Sequence, residues 1–322
     1  MSASLPQARA QDPQATAHVV MVRPAAFAAN PETRASNAFQ VATIPPGDLT
    51  AAAREEFDRL VVALRAAGVT VLALDDTPFP AKPDAVFPNN WFSTHADGTI
   101  VLYPMCAPNR RTERRPDLST LLQRAGFRVG DVLDLGGEES SERFLEGTGS
   151  LVLDRVHRVA YACRSPRADL DLLARWSRTL GYSVVGFTAV DAAGRACYHT
   201  NVMMCVGTGW AAVCLAAIRD RRERDAVRDR LLGDGHELVE LGLDQIARFC
   251  GNLLELATDR GDRIIVLSQA ARDALTLPQR AVLERHATLV SSAIPTIEAA
   301  AGGSVRCMIA EVFLPRIEVA HA

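Results

Sequence analysis

The stretch LLARWSRTLG at 172–181, with YSVVGF at 182–187, NVMMCVG at 201–207 and WAAVCLA at 210–216, decides the fold. Leu173, Trp176 and Leu180 recur at helix spacing and Gly181 closes the run. An amphipathic helix with a glycine stop is therefore expected. YSVVGF reads as a short apolar strand. The two later runs read as a strand pair joined by the Gly-containing turn at 207–209.

The same cassette recurs outward in both directions. Phe57, Leu60, Val61 and Leu64 precede Gly68 and VTVLAL, and Leu118, Leu121, Leu122 and Ala125 precede Gly126 and FRVGDVL. An Arg-rich run ending in Leu231 and Leu232 precedes GDG and HELVEL. A fifth helix is expected around 278–285, followed by ATLVSS without a glycine stop. The stops at Gly68, Gly126, Gly181 and Gly235 are 58, 55 and 54 residues apart. A strand–strand–helix–strand unit repeated about five times, as a propeller or array, explains that period. An ordinary α/β chain with accidental spacing is the alternative.

Composition narrows the function. The 322 residues are 48% apolar and 23% charged, enough for a large soluble core. A net charge of −3 offers no basic field for nucleic acid, and no apolar run approaches a membrane span. Lys82 is the only lysine, in the Pro-rich run FPAKPD, so a pyridoxal Schiff base or a phosphate-loop lysine has no suitable context. Seven cysteines without CxxC spacing read as reduced thiols of a cytoplasmic protein. Residues 1–17 are expected to be a loose polar tail, leaving 18–322 as one catalytic domain. A homo-oligomer is compatible with all of this.

Chemistry falls on the repeat. The segments leading into the strand pairs are FPNNWF, LEGTGS, CYHTNVMM, CGNLLEL and GGSVRCM. One polar residue from each, Asn90, Glu146, His199, Asn252 and Cys307, gives gaps of 56, 53, 53 and 55. In a closed pseudo-symmetric ring, equivalent places converge on the axis, so all five share one pocket. A thiol beside an imidazole suits nucleophilic catalysis, and a carboxylate suits a planar N–H-rich substrate. Competing motifs are weak. Cys197, His199 and Cys205 match no closed zinc pattern, and GTG at 147–149 lacks the rest of a dinucleotide fingerprint. Neither a metal nor a cofactor is expected.

These residues resemble the guanidino-group-modifying superfamily: arginine and agmatine deiminases, dimethylarginine dimethylaminohydrolase and amidinotransferases. The resemblance runs from HVVMVRP at 18–24 to CMIAEVFLP at 307–315. It implies an α/β fold, a five-bladed ββαβ pseudo-symmetric propeller in a single domain. It also implies Cys307 as nucleophile, His199 as general acid/base and Glu146 as a ligand of the substrate's planar nitrogens. The sequence departs from the family at FPNN, where Asn90 stands for Asp, at HTN, where Asn201 stands for Asp, and at EGT in place of Glu-Gly-Gly.

Amides donate as well as accept, so a pocket with one carboxylate would favour a neutral ureide. Citrulline hydrolysis to ornithine, ammonia and carbon dioxide is therefore the main expectation. FPNNWF, RPAAFAANPET and SNAFQ resemble the citrulline-utilisation branch, with arginine deiminase, arginine dihydrolase and dimethylarginine hydrolysis as alternatives. A binding propeller that has lost catalysis is the reading from another class. The α-amino acid end is assigned to 23–40, where Arg23, Asn30, Asn37 and Gln40 are polar.

Overall fold

The computed structural model describes residues 13–40 and 47–317. Among these residues, fifteen strands form five separate three-stranded sheets. Strands β3 (Phe92–Thr94), β4 (Ile100–Leu102) and β5 (Val132–Asp134) make one, and β6 (Leu151–Asp154), β7 (Val159–Cys163) and β8 (Ser183–Phe187) the next. A third contains β9 (Met204–Gly207), β10 (Trp210–Val213) and β11 (Glu237–Glu240), and a fourth β12 (Leu254–Ala257), β13 (Arg263–Ser268) and β14 (Thr288–Ser292). In each, the first pair is antiparallel and the second parallel, with a helical crossover between the parallel strands.

The remaining sheet is assembled from both ends of the described chain. Strands β1 (His18–Arg23) and β2 (Thr70–Asp75) pair in parallel, and β15 (Ala310–Glu311) lies antiparallel to β1, placing Val19 opposite Glu311. The unit anticipated around Gly68 thus borrows its first strand from beyond Cys307.

Local chemistry accounts for the crossover helices. Asp48, Asp169 and Asp220 accept backbone N–H bonds at the starts of Leu49–Ala66, Leu170–Leu180 and Arg221–Gly233. Thr276 and Gln279 form a capping box on Leu277–His286. The helix stops at Gly68, Gly126, Gly181 and Gly235 have φ between +74° and +86°, a conformation costly for residues bearing a Cβ. The fifth helix instead runs through extended Ala287 into β14, so it needs no glycine. Phe57, Leu60, Leu64, Leu173, Trp176, Leu180, Val227 and Leu231 turn inward onto the sheets, whereas Leu232 is exposed.

The first strands of adjacent sheets touch one another: β15 with β3, β6 with β9, and β9 with β12. Short helical turns at Pro88–Asn90, Gly147–Ser150, Thr200–Val202 and Val305–Met308 lie immediately before, or one or two residues before, β3, β6, β9 and β15. The turns at 88–90 and 200–202 both pack on Gly147–Ser150, and 88–90 also packs on 305–308.

Residues 13–17 depart from the expected loose tail. Gln14 is buried, donating to the carbonyls of Leu153 and Val206 and accepting from Arg155 N–H, while Thr16 Oγ1 donates to Val312 O. Residues 1–12 of that segment lie outside the described residues. No helix among the described residues is long and apolar enough to cross a membrane.

Candidate active site

Cys307 sits in the turn Val305–Met308, reached through a close-packed glycine pair. Gly302 ends the helix Pro295–Ala301 at φ +64°, and a Cβ there would lie 2.7 Å from Gln40 N. The thiol is buried. Asn252 Nδ2 reaches its Sγ at 3.3 Å and Asn201 Nδ2 at 3.5 Å, so two amide donors point at the sulfur. Asn252 is itself held, donating to Asn201 O and accepting from Arg306 N–H.

Cys307 shares a small cavity with Thr33, Asn37, Asp84, Phe87, Asn90, Arg110, Arg167, Tyr198 and His199. His199 Nε2 lies 2.8 Å from Glu146 Oε2. The opposite edge of the ring rests on Gly149, where a Cβ would come within 2.7 Å of His199 Nδ1 and 2.5 Å of Asn90 Nδ2. Only glycine fits there, which gives the GTG run a packing role. Burial pushes His199 down to about 4, against the opposing pull of Glu146, so the imidazole is neutral near pH 7.

Glu146 is fully buried and saturated. Besides His199, it accepts from Cys106 N–H at 3.0 Å and Arg167 Nη1 at 3.3 Å, with Arg110 Nη1 at 3.8 Å. Burial alone would raise its carboxyl. Arg167, the His199 hydrogen bond and Arg110 outweigh it and hold the group well below the usual carboxylate range. Glu146 therefore faces the imidazole and two guanidinium groups of the protein.

A charge network missed at the sequence level surrounds this pair. Arg110 forms a two-pronged pair with Glu113, both N···O distances 2.9 Å, and donates to Asn90 Oδ1 at 2.9 Å. Burial raises Glu113 to about 7 despite Arg110. Asp84 accepts from Asn30 Nδ2 at 2.7 Å through Oδ2, while its buried Oδ1 has no partner among the described residues. Burial raises Asp84, opposed chiefly by Arg110. The ordered PD pair ahead of VF at 83–87 was the available signal. Arg110 and Arg167 gave none in a chain so rich in arginine.

The structure brings Asn37, Asn90, His199 and Cys307 to one cavity, with Asn201 and Asn252 against the sulfur. Asn37 Nδ2 donates to Ala301 O, fastening the 33–40 segment over the site. Arg23 does not reach it. It pairs with Asp58 at 2.8 Å on the surface, because the end of β1 points it at the helix Leu49–Ala66. Asn30 and Gln40 serve as internal partners of Asp84 and Thr33. Lys82 is buried against Asp76 at 2.9 Å, a structural pair.

The fold and this arrangement define a member of the guanidino-group-modifying superfamily. Within it, the chain belongs to the N,N-dimethylarginine dimethylhydrolase family, eukaryotic type, whose model matches residues 23–314. No curated protein sequence matches it. Among solved structures, apo ArgZ, an arginine dihydrolase from the ornithine-ammonia cycle in cyanobacteria, superposes with a TM-score of 0.71 at 19% identity, covering 94% of this chain. This chain spans 41% of full-length ArgZ but 99% of its separately solved N-terminal domain, with a TM-score of 0.70 at 18% identity and 92% of this chain covered. A dimethylarginine dimethylaminohydrolase adduct with S-methyl-L-thiocitrulline gives 0.61 at 14% identity, covering 91% of this chain and 98% of that one.

Proposed function

We propose that the protein is a cysteine-dependent hydrolase of the guanidino group of arginine or an N-methylated arginine. The observation that carries this reading is Asp84 Oδ1, a buried carboxylate oxygen that has no partner among the described residues and lies in the cavity that holds Cys307 and His199. A buried acceptor left unsatisfied is costly, and a guanidinium N–H satisfies it with charge assistance. Asn201 Oδ1 is a second buried acceptor without a partner among the described residues. The expectation of a neutral ureide rested on one carboxylate and on amides free to donate. Instead, Asp84 adds a carboxylate, Asn90 Nδ2 is turned to Asn89 Oδ1, and Asn201 Nδ2 to Thr148 O and the sulfur.

The chemistry is built on Cys307 and His199, which line the same cavity. Neutral His199 takes the thiol proton as Cys307 Sγ bonds to the guanidino carbon, and Glu146 stabilises the imidazolium. His199 then returns the proton to the departing nitrogen as its C–N bond breaks, leaving an amidino group on sulfur. Water adds to that carbon, giving its proton to His199, and the C–S bond breaks to regenerate Cys307. Glu146 acts as the partner of His199, in place of the expected contact with substrate nitrogens.

The free space beside Cys307 takes no more than about one water molecule, so the 33–40 segment must move to admit substrate. The outer hollow lined by Arg34, Ser36, Asn37, Gln40 and Tyr198 suits the amino acid end. The contacts between first strands support a five-bladed ring around this site.

The test is turnover of L-arginine, dimethylarginine and L-citrulline, assayed separately for citrulline, ornithine, ammonia and dimethylamine. Guanidino substrates should be consumed, and Cys307→Ala should lose at least about 10⁴-fold in kcat/KM. Consumption of citrulline with both guanidino substrates inert would overturn the reading.

A further inference from the structure

At the far end of β6 from Glu146 and His199 lies a second group of titratable side chains. Asp154 ends β6, His157 lies in the turn to β7, and His236 immediately precedes β11. One donor atom from each lies within 4.8 Å of the others. Asp154 Oδ2 is 2.9 Å from His157 Nδ1 and 2.6 Å from His236 Nε2. The side chains of Asp154 and His236 are 1% and 3% exposed, whereas that of His157 is 36% exposed and gives a route from solvent.

His236 Nδ1 is buried without a hydrogen-bond partner among the described residues. Tyr161 Oη, on β7 and within the electrostatic reach of Asp154, is another such atom. Native interiors rarely leave polar atoms unpaired, but His236 Nδ1 is on the other side of its ring from Nε2, so the site is carried by the geometry of the three donors themselves. The donor set is two imidazoles and a carboxylate held on three rigid positions of two sheets.

We propose that Asp154, His157 and His236 bind a divalent transition-metal ion of the zinc type. Two nitrogens and one oxygen leave a fourth position of a tetrahedron for solvent. Bonds of about 2.1 Å set neighbouring ligand atoms about 3.4 Å apart, so metal entry widens the present contacts by under about 1 Å. The ion displaces the protons that now bridge Asp154 to the two rings, and it ties the β6–β7 turn to the strand of the neighbouring sheet. This site contains no sulfur and lies outside the Cys307 cavity.

Tag-free full chain, both wild type and Cys307→Ser, is dialysed against micromolar Zn²⁺ and titrated with Co²⁺. One equivalent should bind in the Cys307→Ser protein. Its Co²⁺ spectrum should show d–d bands without thiolate-to-cobalt charge transfer. His157→Ala, which removes only a part-exposed ring, should weaken binding at least tenfold and abolish the metal-induced rise in Tm. His236→Gln should do the same, whereas His286→Ala, at the separate pair with Glu237, should bind normally. No bound metal, a thiolate band, or affinity unchanged by His157→Ala would each overturn the site.

Discussion

Strand β6 carries a carboxylate–imidazole pair at either end, and the two differ in everything but that pair. Glu146 meets His199 at 2.8 Å just before the strand, and Asp154 meets His236 at 2.6 Å where it stops. Around the first, Arg110 and Arg167 supply two fixed positive charges, and a thiol shares the cavity. Around the second stands another imidazole, half open to solvent. Two guanidinium groups repel a metal cation and suit a pair that must carry and release a proton. The second imidazole supplies another nitrogen donor for the proposed ion. The neighbours, more than the shared Glu/Asp–His contact, set what each end can do.

The largest effect should come from breaking the first pair. Glu146→Gln leaves Arg167 without its buried carboxylate partner, takes away one of the carboxylates near Arg110, which keeps Glu113, and leaves His199 facing a neutral amide. A loss of about 10²–10³ in kcat/KM and about 3–5 kcal/mol of stability is expected. Steady-state kinetics and urea unfolding measure the two separately. An active, fully stable variant would mean that the pair has no role.

Asp84→Asn should be milder and fall on binding. KM for arginine should rise about 10–100-fold, with kcat changing less and the ratio of citrulline to arginine turnover increasing. An unchanged ratio would remove Asp84 as the feature favouring a cation.

A smaller effect concerns pH. The unfolded chain takes up a proton on His199 below about pH 6.5, while the folded protein resists until about 4. Stability should therefore fall with pH across that window, by up to about 3 kcal/mol from this group. Urea unfolding at pH 4.5 and 7 should show a shallower dependence in His199→Gln; equal slopes would assign the loss to other groups. Smallest of all, Arg23→Ala should alter kcat/KM by less than about twofold and stability by less than about 1 kcal/mol, since its pair with Asp58 is on the surface.

What could be read in the sequence was what repeats. Gly68, Gly126, Gly181 and Gly235 mark helix ends because each must adopt positive φ, and that requirement writes one residue type at a regular interval. Asn90, His199 and Cys307 were legible by phase, since they occupy matching turns before the first strands of their units. Asp84 and Arg167 lie in turns and Arg110 in the short helix Pro108–Arg111, places outside the repeat's period, and their meaning comes from one another. Gln14 was read as a tail residue because a polar side chain in a polar run carries no sign that three backbone groups await it. Arg23 failed for the opposite reason: it had a suitable chemistry at a place whose direction only the packed helix decides.

The borrowed strand β15 has a consequence for the order of events during synthesis. It joins β1 across almost the whole described chain and begins three residues after Cys307. A ribosome therefore exposes Asn90, Glu146, His199 and Asn252 before Cys307 exists, and the sheet of β1 and β2 lacks its third strand until β15 returns to it. Such late, long-range pairing makes folding slow. It also brings the two ends of the described chain close together, so a circular permutant opened at the 207–209 turn has a natural place to rejoin them.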